Sequence, residues 1–257
     1  MRFELFHPCA ALTPYIASFV IAESEATLPY AVLPDTSLVM GFQYKGRLAA
    51  VSGTGAQQPL STIGITGLHM ECRHFQNLLP TGTVLVRFKP GGAAAFFRQP
   101  VNELFGQSLS LDLFTPPAAI RFVEEQLGEA HSDAARIKVI ESFLMSCKMS
   151  RPQDALVLEA VRLIERSAGV IPIAQVAKSL YTSASPLEKR FRSCIGTSPK
   201  KYAQIVRFQS ILTAGNPRQG AAARAYEAGY FDQAHFIKDF RRFSGQTPEA
   251  FFTGKQP

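Results

Sequence analysis

The spacing of hydrophobic positions changes partway along the chain. Through Gly92 they come in short β-branched and aromatic runs. LPYAVLPDTSLVMGFQYKGRLAAV is cut at Pro34-Asp35 and Lys45-Gly46, and TGTVLVRFKPGG carries an apolar run into a Pro-Gly-Gly turn. Runs of this kind between turn residues predict strands. Helical spacing follows in AAAFFRQ, in AAIRFVEEQL after Pro116-Pro117, and in DAARIKVIESFLMSC, where Ile137, Ile140, Phe143 and Leu144 share one face. From Pro152 onward the pattern predicts helices and no strand, beginning with the amphipathic DALVLEAVRLIERSAG and its glycine stop. Ser150 to Pro152 interrupts the periodicity, so the halves should meet within Lys148 to Gln153. The expected fold class is α+β. A β-rich, barrel-like domain with flanking helices covers 1–148, and an all-α domain covers 149–257.

The helical half repeats itself at an offset of 49 residues. Phe191, Gly196, Pro199 and Tyr202 recur as Phe240, Gly245, Pro248 and Phe251; Leu187, Lys189 and Arg192 recur as Phe236, Lys238 and Arg241. Two copies of one supersecondary unit are implied. Each copy has a short helix (173–180; 219–228), a turn of three or four residues, and a second helix opened by Ser183 or Asp232, both good N-cap residues. In the second copy Phe236, Phe240 and Phe243 fall at i, i+4 and i+7 and form an inward stripe, leaving Ala234, His235, Lys238, Arg241 and Arg242 outside. In the first copy Leu187, Phe191 and Cys194 face in, and Ser185, Lys189, Arg192 and Ser193 face out. Gly196 and Gly245 suit a left-handed helix end, and Ser198-Pro199 and Thr247-Pro248 open the next helix. A helix, a tight turn and a second helix with a basic outer face make a helix-turn-helix, whose second helix is sized for the DNA major groove.

Charge sharpens this picture. The chain of 257 residues carries a formal +7. Residues 170–257 hold 13 Lys and Arg against 5 Asp and Glu, whereas the remainder holds 14 against 15. The whole basic excess lies in the last third, which points to a polyanion partner for that half. With 46% hydrophobic and 18% charged residues the composition is that of a globular protein. Cys9, Cys72, Cys147 and Cys194 lie far apart with no CxxC, which argues against a disulfide framework or a zinc knuckle and fits a reducing cytoplasm. Glu4 and His7 stand where a signal peptide would be apolar, and no run approaches the roughly 18 apolar residues that span a bilayer. No membrane association is expected. HExxH, GxSxG, P-loop and GxGxxG patterns are absent, so neither catalysis nor a cofactor is expected.

On these residues the chain resembles the AraC-type transcriptional regulators. The segment GYFDQAHFIKDFRRFSGQTPEAF matches their signature, and the resemblance covers about residues 155–252. It implies that Lys200 to Ala214 is a helix linking the two units, and that the two recognition helices enter successive major grooves. It also implies a set of DNA-side residues: Ser183, Ser185, Glu188, Lys189 and Arg192 in the first copy; Asp232, Gln233, His235, Lys238, Arg241 and Arg242 in the second. Asp232 reads as a cap rather than a base contact, Gln233 could read adenine, and Arg241 and Arg242 suit phosphates. His235 suits either DNA or packing at the domain surface. The first copy departs from the family at Lys189, where Arg is frequent, at Arg190, where an apolar residue is usual, at Pro186, and in having Leu180-Tyr181 rather than glycine at its turn.

The first half resembles a β-rich sensing module found in front of such domains, through AVLPDTSLVMGF and VLVRFKPGGAAAFF, over about residues 5–145. The effector is unknown from sequence. HMECRH gathers His69, Cys72 and His74, which would be split between two faces if the segment is a strand, disfavouring a metal site. Arg87, Lys89 and Pro90-Gly91-Gly92 before a helix start could attract an anion or simply make a tight turn. The expected function is a sequence-specific, cytoplasmic DNA-binding regulator responding to a small-molecule effector, with RNA polymerase and a second copy of the chain as further partners. The alternatives are an enzyme or a cysteine-based sensor or repair protein using Cys9 or Cys72, with an accessory DNA-binding domain, and a nonspecific architectural DNA binder.

Overall fold

The structure is a computed structural model describing residues 1–27, 29–213, 223, 225–226 and 228–254. Ten strands fill the first 110 residues: β1 (Arg2–Phe6), β2 (Ile16–Ser24), β3 (Pro29–Val32), β4 (Val39–Lys45), β5 (Leu48–Val51), β6 (Gln57–Pro59), β7 (Ile63–Thr66), β8 (Arg73–Asn77), β9 (Thr81–Phe88) and β10 (Ser108–Ser110). They form two antiparallel sheets that do not close, ordered β1-β2-β9-β4-β7-β10 and β3-β8-β5-β6. The barrel-like expectation is met only as far as two sheets in one β-rich domain.

Alternation sets the register of the larger sheet. Phe19 and Ile21 of β2, Val84 and Val86 of β9, and Met40 and Phe42 of β4 are all buried, and sliding a strand by one residue would turn them out of the core. Helices α1 (Pro117–Glu129) and α2 (Asp133–Cys147) cover this face. Phe143 meets Phe42 edge-on at 6.0 Å, and Arg136 lies 4.1 Å over the Tyr44 ring. Ile137, Ile140, Phe143 and Leu144 are the buried side of α2, as their spacing predicts.

The helix expected in AAAFFRQ is only a 3-10 turn, Ala93–Ala95, followed by a second at Val101–Leu104. Prolines at 90 and 100 leave too short a stretch for a stable α-helix. The preceding Pro-Gly-Gly segment is a tight turn, closed by the Gly92 N–H on the Lys89 carbonyl at 2.8 Å. HMECRH is not one strand, because β8 begins only at Arg73. His69 Nδ1 instead sits 2.7 Å from the Glu71 carbonyl, and burial lowers its pKa.

After residue 152 the described elements are all helical: α3 (Ala155–Arg166), α4 (Ile173–Ser179), α5 (Ala184–Ile195), α6 (Pro199–Thr213), α7 (Gln233–Ser244) and α8 (Pro248–Thr253). The expected linking helix is α6; its predicted last residue, 214, lies outside the described residues, as do most of 219–228, the predicted first helix of the second copy. Ala225 and Ala228 of that segment are described and buried.

Two apolar clusters organise the molecule. The larger runs without a break from the β-rich domain through α1–α5 to Tyr202, Ala203 and Val206 on α6. The smaller holds Ile205, Phe208 and Ile211 of α6 with Ala225, Ala228, Tyr230, Phe236, Phe240 and Phe243. One helix thus presents apolar residues on two sides, one for each unit.

Candidate nucleic-acid interface

The inward stripe of α7 is built as its spacing predicts, whereas on α5 Ile195 completes the stripe and the predicted Cys194 is only partly buried. Phe236, Phe240 and Phe243 are at most 1% exposed, and so are Leu187, Phe191 and Ile195 on α5. Rings from α6 lock both stripes: Tyr202 meets Phe191 at 5.5 Å, and Phe208 meets Phe240 at 5.4 Å and stacks on Phe243 at 4.9 Å. Phe251 and Phe252 of α8 close over Phe240 at 5.4 and 5.6 Å. Tyr202 Oη donates to Glu165 Oε1 at 2.7 Å, and Arg207 Nη2 donates to the Gly169 carbonyl at 3.0 Å, tying α6 to α3 and to the loop that follows it.

Ends and turns of the two copies match closely. Gly196 and Gly245 end α5 and α7 in the left-handed conformation, at φ 95° and 78°. The hydroxyls of Ser198 and Thr247 accept from the N–H groups of Lys201 and Ala250, each at 3.3 Å, opening α6 and α8. Asp232 caps α7 through its carboxylate, which accepts from the His235 N–H at 2.7 Å. Ser183 holds the N-cap position of α5, but its side chain makes no capping bond, so only one of the two predicted caps operates.

The turns differ by one residue. The N–H of Tyr181 reaches the Lys178 carbonyl and that of Thr182 the Ala177 carbonyl, as those of Gly229 and Tyr230 reach Tyr226 and Ala225. The repeat offset is therefore 48 before the turn and 49 after it. Tyr181 takes the left-handed conformation (φ 52°) that Gly229 takes in the second copy (φ 70°), at some backbone cost for a residue with a Cβ.

Every sequence-predicted site residue is exposed: Ser183, Ser185, Glu188, Lys189 and Arg192 on or next to α5, and Asp232, Gln233, His235, Lys238, Arg241 and Arg242 on or next to α7. Their electrostatic settings separate them. Arg192 donates twice to Glu188 Oε1, at 2.9 and 2.7 Å. Arg242 and His235 flank the mostly buried Asp239, at 3.4 and 3.5 Å. Lys189, Lys238 and Arg241 have no ion pair among the described residues. They are the cations with least to give up on meeting an anion.

Two features escaped the sequence reading. Arg190 turns back to Asp154, with Nε and Nη2 donating at 2.8 and 2.7 Å to a carboxylate that also caps α3 through the Val157 N–H. That explains a charge at a position expected to be apolar. Tyr181 and Phe231, in the turns before α5 and α7, are fully exposed. An apolar residue in a turn with no helical partner was the available signal.

The same geometry is found in known proteins. Residues 176–254 match a family model described as a helix-turn-helix domain, and residues 4–110 match a domain of unknown function (DUF6597). The arabinose operon regulatory protein of Salmonella typhimurium is 29% identical over 173 residues, covering 65% of this chain. The chain carries an AraC-type helix-turn-helix domain. The aligned part spans 57% of that relative's length. The structure of ToxT from Vibrio cholerae superposes with a TM-score of 0.50 at 11% identity, covering 91% of this chain and 97% of that one, which shows a shared two-part fold. In the present chain the AraC-type domain does not stand apart. The end of α5 packs on both 3-10 turns of the β-rich domain, and Lys201 lies 4.3 Å over the Phe105 ring. Gln209 of α6 donates to Asp35 at 2.9 Å, and Asp35 also pairs with Arg87. A cleft of about 270 Å³ runs along this seam, lined by Gly91, Phe97, Arg98, Arg151, Leu158 and Cys194 among others. No described helix is long and apolar enough to cross a membrane.

Proposed function

We propose that this protein is a cytoplasmic, sequence-specific DNA-binding transcription regulator, with residues 149–257 docking on DNA and residues 1–148 sensing a small molecule. The observation that carries the proposal is the repeated helix: α5 and α7 each bury an apolar stripe and expose a basic face, and both are held by α6. In this reading α5 and α7 enter successive major grooves. Lys189, Lys238 and Gln233 reach base edges, while Arg241 and Arg242 hold phosphates. Ser183, Ser185, Glu188, Arg192 and His235 border the same faces, and Asp232 serves as a cap. The effector acts through the seam, because anything that shifts the 93–104 segment shifts the end of α5 resting on it. RNA polymerase and a second copy of the chain are the further partners.

The reading needs no catalytic group. Burial raises the Cys72 thiol above its ordinary range, which lowers its thiolate fraction and weighs against that residue as a nucleophile. Selection of bound fragments from a genomic library, followed by footprinting, tests it. The expected result is two protected segments about one DNA turn (~34 Å) apart. Equal affinity for all fragments at fixed salt would leave a nonspecific architectural binder instead.

A further inference from the structure

We propose that the chain self-associates through β1, which pairs antiparallel with the β1 of a second copy and joins the two six-stranded sheets. This rests on the self-association named above and gives it a surface.

Four strands lie at sheet edges, and three of them are blunted. β10 has three residues, β6 has three and ends in Pro59, and β3 opens with Pro29. β1 has five residues, RFELF, with no proline, and pairs only with β2. Its outward backbone groups meet no other backbone among the described residues. Phe3 and Leu5 are 61% and 57% exposed on one face of the strand, opposite the face where Phe6 meets the core. An edge strand with exposed apolar side chains is open to pairing, and the charges that guard this one, Arg2 and Glu4, are opposite in sign.

The sequence of β1 selects its partner and its register. About a twofold axis perpendicular to the sheet, residues of like parity face each other, so the axis falls on a residue. An axis on Phe3 places Phe3 against the partner's Phe3 and Arg2 against the partner's Glu4, twice. An axis on Glu4 would set two carboxylates face to face, an unfavourable cross-strand pair. Within one chain Arg2 is already shared among Glu4, Glu23 and Asp133. Glu4 can therefore exchange its own Arg2 for the partner's without leaving a charge unpaired. The driving force is the ladder hydrogen bonds and the covering of Phe3 and Leu5, while the charges choose the register. One strand pair buries well under the ~1,200 Å² of a stable interface, so the dimer is a weak, concentration-dependent one.

Sedimentation equilibrium of the full chain without DNA, from micromolar to submillimolar concentration, tests this with Arg2→Glu, Glu4→Arg and Phe3→Lys. Each variant alone should weaken dimerisation about tenfold or more, with its melting curve checked for an intact fold. Phe3→Lys disturbs no polar contact within the chain, yet brings two ammonium groups onto the axis. Mixing Arg2→Glu with Glu4→Arg should restore dimers, since both cross-strand pairs become opposite again. A chain that stays monomeric throughout overturns the interface together with self-association. Dimers indifferent to all three changes, or folded variants that fail to recover on mixing, overturn the interface alone. Binding to a selected DNA fragment, measured on the same samples, reports separately on the regulator reading.

Discussion

Replacing Phe240 with alanine should unfold the second helix-turn-helix unit while the rest of the chain stays folded. The side chain is 1% exposed and touches Phe208, Phe236, Phe251 and Phe252, with ring centroids 5.4–5.8 Å away. Burial of such a ring is worth about 2–3 kcal/mol, and the cavity left behind adds to the loss, so the total should be about 3–5 kcal/mol. Collapse offers little relief, because the neighbouring rings come from α6, α7 and α8 and are already packed on one another. The smaller cluster is separate from the larger one and meets the β-rich domain through the partly buried Leu33 and Met70, so the loss should be largely local. At about 4–8 °C per kcal/mol for a domain of this size, the transition of the second unit should fall by at least ~12 °C. Thermal unfolding followed by circular dichroism should therefore split into two steps, and protection from DNA cleavage should shrink to the half-site of the first unit. A midpoint lowered by only a few degrees, with both half-sites still protected, would mean that α7 is rotated and that its outer face has been misassigned.

Lys189→Ala and Lys238→Ala should each weaken binding to the selected site by about 1–3 kcal/mol with no change in melting, whereas Arg241→Ala should weaken all sequences alike and reduce the salt slope by about one; titrations at several salt concentrations distinguish the two. The Asp154 carboxyl is raised by burial but lowered more by Arg190 and the Val157 N–H, with a net value below the ordinary one. Its contribution is thus fully present above the unfolded value near pH ~3.9 and is lost as pH falls through the lower folded value. Asp154→Asn should flatten the acid limb of the stability curve and leave DNA affinity unchanged near neutral pH. Gly169→Ala would place a Cβ 2.1 Å from the Ala203 carbonyl oxygen on α6, so it should loosen the seating of α6 and lower the melting midpoint; an unchanged midpoint would show that the loop can yield.

What the sequence determined by itself is local and periodic. The spacing of Phe236, Phe240 and Phe243, the cap at Asp232, the helix ends at Gly196 and Gly245 and the openings at Pro199 and Pro248 each follow from a few neighbouring residues, because helix geometry and capping act within one or two turns. The exposed set from Ser183 to Arg242 was legible for the same reason: a residue's side of a helix is fixed by its number. Tertiary structure decided what depends on distant partners. Arg190 is drawn to Asp154, 36 positions away, while Glu188 pairs with Arg192 and His235 lies against Asp239 in contacts that spacing allows but does not require. The joining of the first unit to the β-rich core came from contacts between the 93–104 segment and α5, which no periodicity records. Hydrophobic burial is non-directional, so a stripe of apolar side chains announces that it will be covered without saying by what.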